Sequence, residues 1–282
     1  MRISTAIAGL LLCSVPATAS IGTTKVTPFD LLDDGSVVVP VTIGGTGHYR
    51  FVLDTGSSRT VIPARVWHTL RLPVVAETLM VTPAGRDVAF VVRLNGIAIG
   101  ARPGVNVEAA VTAAERYAAG QQVDGLIGQD VLASMIYTID YQQRVVIWHE
   151  PGERLPGARL PLTIRDQRVF VTLAQQAGDS RPLTLIPDTG SDGLVLFSHA
   201  TDRLRLTPWD VGVLSSVSGS RAVRRVRIDT LRIGGTRWDH PLATVVDSDE
   251  FAALMGDGLL PLHVFSRVTF NVAEGYLLVQ SR

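Results

Sequence analysis

The chain has 282 residues, 46% of them hydrophobic and 18% charged. That is enough apolar material for one large domain or two of ordinary size, and it leaves no long segment too polar to fold. The 26 basic and 26 acidic residues cancel to a formal charge of zero, so bulk electrostatics offers no affinity for nucleic acid or for an anionic membrane surface.

The chain opens with Met1-Arg2, an apolar run from Ala6 to Val15, and Pro16-Ala17-Thr18-Ala19-Ser20. A basic start, a short apolar stretch and a small-x-small site form the pattern of a secretory signal peptide over residues 1–19, with cleavage before Ser20. The run is too short to span a bilayer. The sole cysteine, Cys13, lies inside it, so the exported chain, periplasmic or secreted, would hold together without disulfides.

The next segments alternate with a period of two. Ser36 to Ile43, the turn Gly44-Gly45-Thr46-Gly47 and Tyr49 to Leu53 read as a hairpin that delivers Asp54. A short helix is expected over Pro63 to Leu70, then a second hairpin of Thr78 to Thr82 with Val88 to Leu94 around Pro83-Ala84-Gly85-Arg86. Val105 to Val111 runs into a helical segment opened by the capping-box sequence Thr112-Ala113-Ala114-Glu115. Asp124-Gly125-Leu126-Ile127-Gly128 leads into another short helix, and Tyr137 to Trp148 supplies last strands. The polar stretch 151–157, punctuated by proline and glycine, reads as a linker.

After it the same order recurs. Asp54 to Asp188 is an offset of 134, and at that offset Ile97-Ala98-Ile99-Gly100 meets Leu231-Arg232-Ile233-Gly234. At 133, Asp124-Gly125-Leu126-Ile127 meets Asp257-Gly258-Leu259-Leu260, and at 130, Val39-Pro40-Val41-Thr42 meets Val169-Phe170-Val171-Thr172. The chain is therefore two copies of one unit of about 120 residues, over residues 20–150 and 158–282. The second copy carries its own helix over Ser198 to Leu206, a hairpin around Ser218-Gly219-Ser220, and a capping-box opening at Asp247-Ser248-Asp249-Glu250.

Each copy places an Asp at the end of an apolar run, in Leu53-Asp54-Thr55-Gly56-Ser57 and Pro187-Asp188-Thr189-Gly190-Ser191. A single Asp-Thr-Gly reads as a plain turn. Two copies with matched downstream partners give a pair of carboxylates, the requirement for acid/base work on a bound water. The histidines are scattered, His149-Glu150 lacks a second metal-spaced His, and Gly44-Gly45-Thr46-Gly47 precedes no helix, so neither a metal site nor a nucleotide loop is indicated. Arg221, Arg224, Arg225 and Arg227 on the second hairpin read as a solvated strand face.

Two Asp-Thr-Gly-Ser copies, each followed by Asp-Gly-Leu and a hydrophobic residue, resemble the pepsin-like and retropepsin-like aspartic peptidases, most closely bacterial exported members without disulfides. The resemblance covers nearly the whole chain after the signal segment. It implies an all-β, bilobal acid-protease fold with short helices and a cleft to which each lobe contributes one catalytic Asp, Asp54 and Asp188. Because this chain carries both, it implies a monomer acting on a peptide or protein substrate, with no metal or cofactor. By position, Thr55 and Thr189 would lock the two loops across the interface, and Gly56 and Gly190 would let amides approach the acids. Ser57 and Ser191 would donate a hydroxyl to the adjacent carboxylate and favour its ionised form, which sets an expectation of an acidic working range. Gly125, Gly128 and Gly258 would lie in strands supporting the loops. Ala84-Gly85-Arg86 would tip a flap, without the tyrosine of pepsin, and Ser218-Gly219-Ser220 a second one.

The second copy departs at two prolines. Pro187 removes an amide from an internal strand, and Pro261 stands where the first copy has Gly128, so a looser or differently paired second lobe is expected. Two functions accordingly stand side by side: an endopeptidase, general or restricted to one partner, and a scaffold that binds peptides without cutting them.

Overall fold

The computed structural model describes residues 25–82, 85–113, 121–174, 181–216, 219–247 and 255–282. The signal-peptide segment and both capping-box helices lie outside the described residues. What is described is mostly strand, and it forms two lobe-like sheets, the second of them continuous with a central ribbon through the pairing of Ala158–Arg165 with Arg168–Leu173.

In the first half the strands run in the order Val37–Ile43, Thr46–Leu53, Gly125–Ile127, Val61–Pro63, Val105–Thr112, Gly85–Ile99 and Val74–Thr82. In the second half the counterparts run Arg168–Leu173, Leu183–Asp188, Gly258–Pro261, Leu194–Phe197, Leu242–Val246, Gly219–Arg227 and Pro208–Ser216. The short helices Ala64–Leu70 and Ser198–Arg203 follow equivalent strands. The first hairpin turns on Gly44 and Gly45, at φ 60° and 72°, and pairs Ile43 with Thr46. Two consecutive positive φ values are what a two-residue turn compatible with strand twist demands, and glycine supplies them without strain.

Val39 pairs with Phe51, and Val171 with Leu185. Val39 is thus equivalent to Val171, two residues away from the match read in the sequence. A shift of two keeps every side chain on the same face, so the alternating pattern alone could not detect it.

Between the lobes lies a ribbon of six strands: Val26–Pro28, Val145–His149, Ile136–Asp140, Arg267–Asn271, Tyr276–Gln280 and Ala158–Arg165. Three come from each side of the 151–157 stretch. Ile136–Asp140 pairs antiparallel with Arg267–Asn271, so the halves share backbone hydrogen bonds as well as side chains. Tyr137 stacks on Phe270 across that seam, at 5.1 Å between ring centres, and Trp148 beside them donates its indole N–H to Thr27 Oγ1. One core cluster runs through both halves. Two smaller clusters lie apart from it, one built on Val38, Val52, Val61 and Leu126, the other on Phe170, Ile186, Val195 and Leu259.

The second half keeps the register of the supporting strand, while on the outer side of its Asp strand the pairing stops one residue earlier than in the first half, at Leu185 where the first half pairs as far as Val52. Leu183–Asp188 runs parallel to Gly258–Pro261 with Leu185 opposite Gly258, just as Phe51 stands opposite Gly125. The Asp54 N–H points at the supporting strand, donating to Ile127 O at 2.9 Å. Amides alternate along a strand, so the residue before each Asp points its N–H away from that support. On that other side the pairing of Leu183–Asp188 ends at Leu185, and Pro187 lies beyond the last pair. Pro261 is accommodated differently. Its counterpart Gly128 donates to Thr60 Oγ1, but the residue equivalent to Thr60 is Leu194, which offers no acceptor.

Because the seam ties both halves into one core, Phe270→Ala is expected to cost about 3–5 kcal/mol. Urea unfolding followed by circular dichroism and tryptophan fluorescence should give one transition for both probes. Two separate midpoints would contradict a shared core.

Candidate active site

Asp54 and Asp188 each follow an internal strand that is hydrogen-bonded on its far side to a buried glycine-led strand. The supporting glycines are matters of space. A Cβ on Gly125 would lie 2.5 Å from Val61 O, one on Gly128 would lie 2.5 Å from the Arg59 carbonyl carbon, and one on Gly258 would run into the Val195 carbonyl. The acid of each Asp-Gly-Leu anchors the start of the strand that carries the site. Asp124 accepts the Arg50 N–H and Arg65 Nη1, both at 2.7 Å. Asp257 accepts the Thr184 N–H at 2.8 Å and Arg203 Nη1 at 2.9 Å, with His199 Nε2 at 3.0 Å. Sequence reasoning treated these two acids only as part of a motif. The available signal was that Arg50 and Thr184, like Arg65 and His199, stand at the same offset as the two central acids.

The loops meet through their threonines, both fully buried. Thr55 Oγ1 donates to Pro187 O at 2.7 Å and Thr189 Oγ1 donates to Leu53 O. In return the Thr55 N–H donates to Thr189 Oγ1 at 3.0 Å and the Thr189 N–H to Thr55 Oγ1 at 3.1 Å. Each hydroxyl therefore gives its single proton to the opposite half and accepts one from it. The carbonyl of Pro187, not its missing amide, is the group this arrangement uses.

That contact sets the carboxyls within hydrogen-bonding reach of each other. Gly56 and Gly190 permit the approach, since a Cβ on Gly56 would lie 2.5 Å from Asp188 Cγ and one on Gly190 would lie 3.3 Å from Asp54 Cγ. Asp54 Oδ1 accepts the N–H groups of Gly56 at 3.0 Å and Ser57 at 3.1 Å. Asp188 Oδ1 accepts the Gly190 N–H at 2.8 Å. The serine hydroxyls do not take the expected role. Ser57 Oγ donates to Arg59 O and Ser191 Oγ to Gly193 O, each at 2.7 Å, so their protons close local turns and the donors to Asp54 are backbone amides.

Burial pushes both carboxyls above the ordinary carboxylate range. Asp188 is raised well above it, first by burial and then by the Asp54 charge; Asp54 is raised less, its burial opposed by the Ser57 and Gly56 amides. This reverses the lowering expected from the serine hydroxyls. Two carboxyls this close cannot both ionise cheaply and hold one proton between them.

Of the expected flap residues, Ala84 and Ser218 lie outside the described residues. Gly85 and Arg86 pair with Thr82 and Val81, and Gly219 and Ser220 with Ser216 and Ser215, so both hairpins form up to their tips. Near the first tip Met80 packs on the first half's small cluster, while Val81 reaches the second half's cluster around Ile186 and Phe170. Leu214 of the second hairpin packs on that same cluster. Among the arginines, Arg224 pairs with Asp247 and Arg227 covers the Trp209 ring.

The fold and the site together define a two-lobed β protein that brings one carboxyl from each lobe against the other. A family model described as aspartyl protease matches the chain twice, over residues 39–131 and 171–263. These matches cover more than half of the chain, which therefore belongs to the aspartyl protease family. No curated protein sequence matches it. Among solved structures the fold is similar to that of an aspartic proteinase from Irpex lacteus, at 13% identity and a TM-score of 0.54, over 91% of this chain and 96% of that one. Family and fold place the protein among the peptidases.

A carboxyl whose pKa rises on folding contributes stability that is fully present below its unfolded value and is lost as pH rises through the folded one. Asp188→Asn removes the charge and keeps the acceptor for Gly190. This variant is expected to melt higher than the wild type near pH 7 and to lose that advantage toward pH 3. Thermal melts across that range check it, and a constant difference would contradict the raised value.

Proposed function

We propose that the protein is an aspartic endopeptidase that hydrolyses peptide bonds with a water held between Asp54 and Asp188. The observation that carries the reading is the buried carboxyl pair joined across the lobes by crossed threonine hydrogen bonds. Asp54, with two amides on one oxygen, is the better-stabilised anion and takes the proton of the attacking water. Asp188, the more strongly raised of the two, holds the shared proton and donates it toward the carbonyl oxygen of the substrate. As the C–N bond breaks, Asp54 gives the proton it took from the water to the leaving nitrogen, and a hydroxyl of the tetrahedral intermediate returns its proton to Asp188 as the new carboxyl carbonyl forms, which resets the pair. Coupled carboxyls of aspartic proteases are the standing example of such sharing. Gly56 and Gly190 line the reacting groups, and the hairpin tips near Gly85 and Arg86 and near Ser220 cover the substrate.

The prolines were the ground for a scaffold that binds without cutting, and both are accommodated in the paired strands. The chain carries both acids, which supports a monomer. The pattern over residues 1–19 supports export to the periplasm or beyond, where the substrate would be an exported peptide or protein.

The test is an unbiased peptide library offered to the wild type, Asp54→Asn and Asp188→Asn from pH 3 to 8. Internal cleavage is expected in the acidic to mildly acidic range, falling by at least about a thousandfold in each variant and blocked by a pepstatin-type inhibitor. Specific peptide binding with no cleavage at any pH would sink the proposal.

A further inference from the structure

Gln129 stands directly after the first supporting strand, at the start of the short helix Gln129–Leu132, and is 4% exposed. Its side-chain Nε2 donates to the carbonyl of Thr55 at 2.8 Å, and its own N–H donates to Ser57 O at 2.9 Å. The Thr55 carbonyl and the Gly56 N–H belong to one planar peptide group. That N–H is the donor to Asp54 Oδ1, and it also lies against Asp188. A donor on the carbonyl end polarises the amide end and fixes the plane in which its hydrogen points.

Only one end of this amide is satisfied. Gln129 Oε1 is buried and has no hydrogen-bond partner among the described residues, and an unpaired buried acceptor works against folding. The pairings of Leu53 with Ile127 and of Pro187 with Leu260 make Leu262 the counterpart of Gln129 in the other half. Leu262 is fully buried and apolar, and the loop of Asp188 forms without a side-chain amide there. The first half thus keeps a buried amide with one unpaired oxygen, its Nε2 aimed at the peptide group whose N–H donates to Asp54 and lies against Asp188.

We propose that Gln129 is a positioning residue for the acid pair, acting through the Thr55–Gly56 peptide to orient and strengthen the N–H that holds the shared negative charge. The proposal rests on the reading of Asp54 and Asp188 as the catalytic pair. Among the described residues, the titratable groups facing that pair are the two carboxyls themselves and Tyr141, which follows the strand Ile136–Asp140, feels the Asp188 charge and is held neutral by burial. The remaining neighbours are the amides of Gly56, Ser57 and Gly190.

The test compares the full chain with Gln129→Leu, the residue of the other half, and Gln129→Glu. Carbon-13 NMR of labelled Asp carboxyls follows the pair without turnover, alongside pH–rate profiles and thermal melts. Losing support for the ionised form raises a carboxyl's pKa. In Gln129→Leu the titration midpoint of the pair and the acidic limb of kcat are expected to move up by about half a unit. We expect kcat to fall about tenfold with KM within about twofold, and the melting temperature to fall modestly, because the buried Thr55 carbonyl loses its donor. A neutral carboxylic acid can donate to Thr55 O and a carboxylate cannot, so Gln129→Glu should follow the wild type near pH 3 and the leucine variant above its own pKa. Unmoved midpoints in Gln129→Leu overturn the proposal, as does a lower melting temperature with no shift of the limb. A wild type that cleaves nothing, in which the leucine variant still shifts the carboxyl titration, would defeat the peptidase reading and leave the positioning role standing.

Discussion

Everything at the centre of this molecule depends on four hydrogen bonds between Thr55 and Thr189 and the opposite backbone. Both side chains are buried, so each polar atom left unpaired would carry its full desolvation cost. Only one relative placement of the lobes satisfies all four at once. The acid pair is a consequence of that placement: each Asp immediately precedes a threonine, and when the threonines cross, the carboxyls meet.

Two acids in hydrogen-bonding reach repel when ionised, and burial raises the penalty. The fold holds them together because the six-stranded ribbon and the continuous core behind it resist separation of the halves. The raised carboxyls express that opposition. A pair free to separate would relax toward ordinary acidity. Gly56 and Gly190 serve the same end, since a methyl group at Gly56 would occupy the place of the opposite carboxyl.

The two halves solve the same support problem with different chemistry. In the first, Thr60 donates to Asp130 through both N–H and hydroxyl and accepts the Gly128 amide. In the second, the equivalent places hold Leu194, His263 and Pro261, so the acceptor and the amide it would have served are absent together. A donor lost with its acceptor is nearly neutral, whereas either loss alone would orphan a buried group. Gln129 and Leu262 divide along the same line, the first half polar and the second apolar, while the strand register beneath both loops is the same.

The sequence by itself determined the duplication, the strand-rich architecture and the candidate acids, because these are written in local terms: a period of two, a glycine-rich turn at Gly44-Gly45-Thr46-Gly47, and a motif repeated at one offset. It also showed a missing amide at Pro187 and at Pro261, but not whether anything stood opposite to need it. The direction of the Ser57 hydroxyl, the reach of Val81 across to the other half, the anchoring of Asp124 and Asp257, and the ribbon built from both halves were decided only by the tertiary structure. Each of these depends on which groups from distant parts of the chain come within hydrogen-bonding or van der Waals distance. A pattern of residue types along one strand carries no record of its partner.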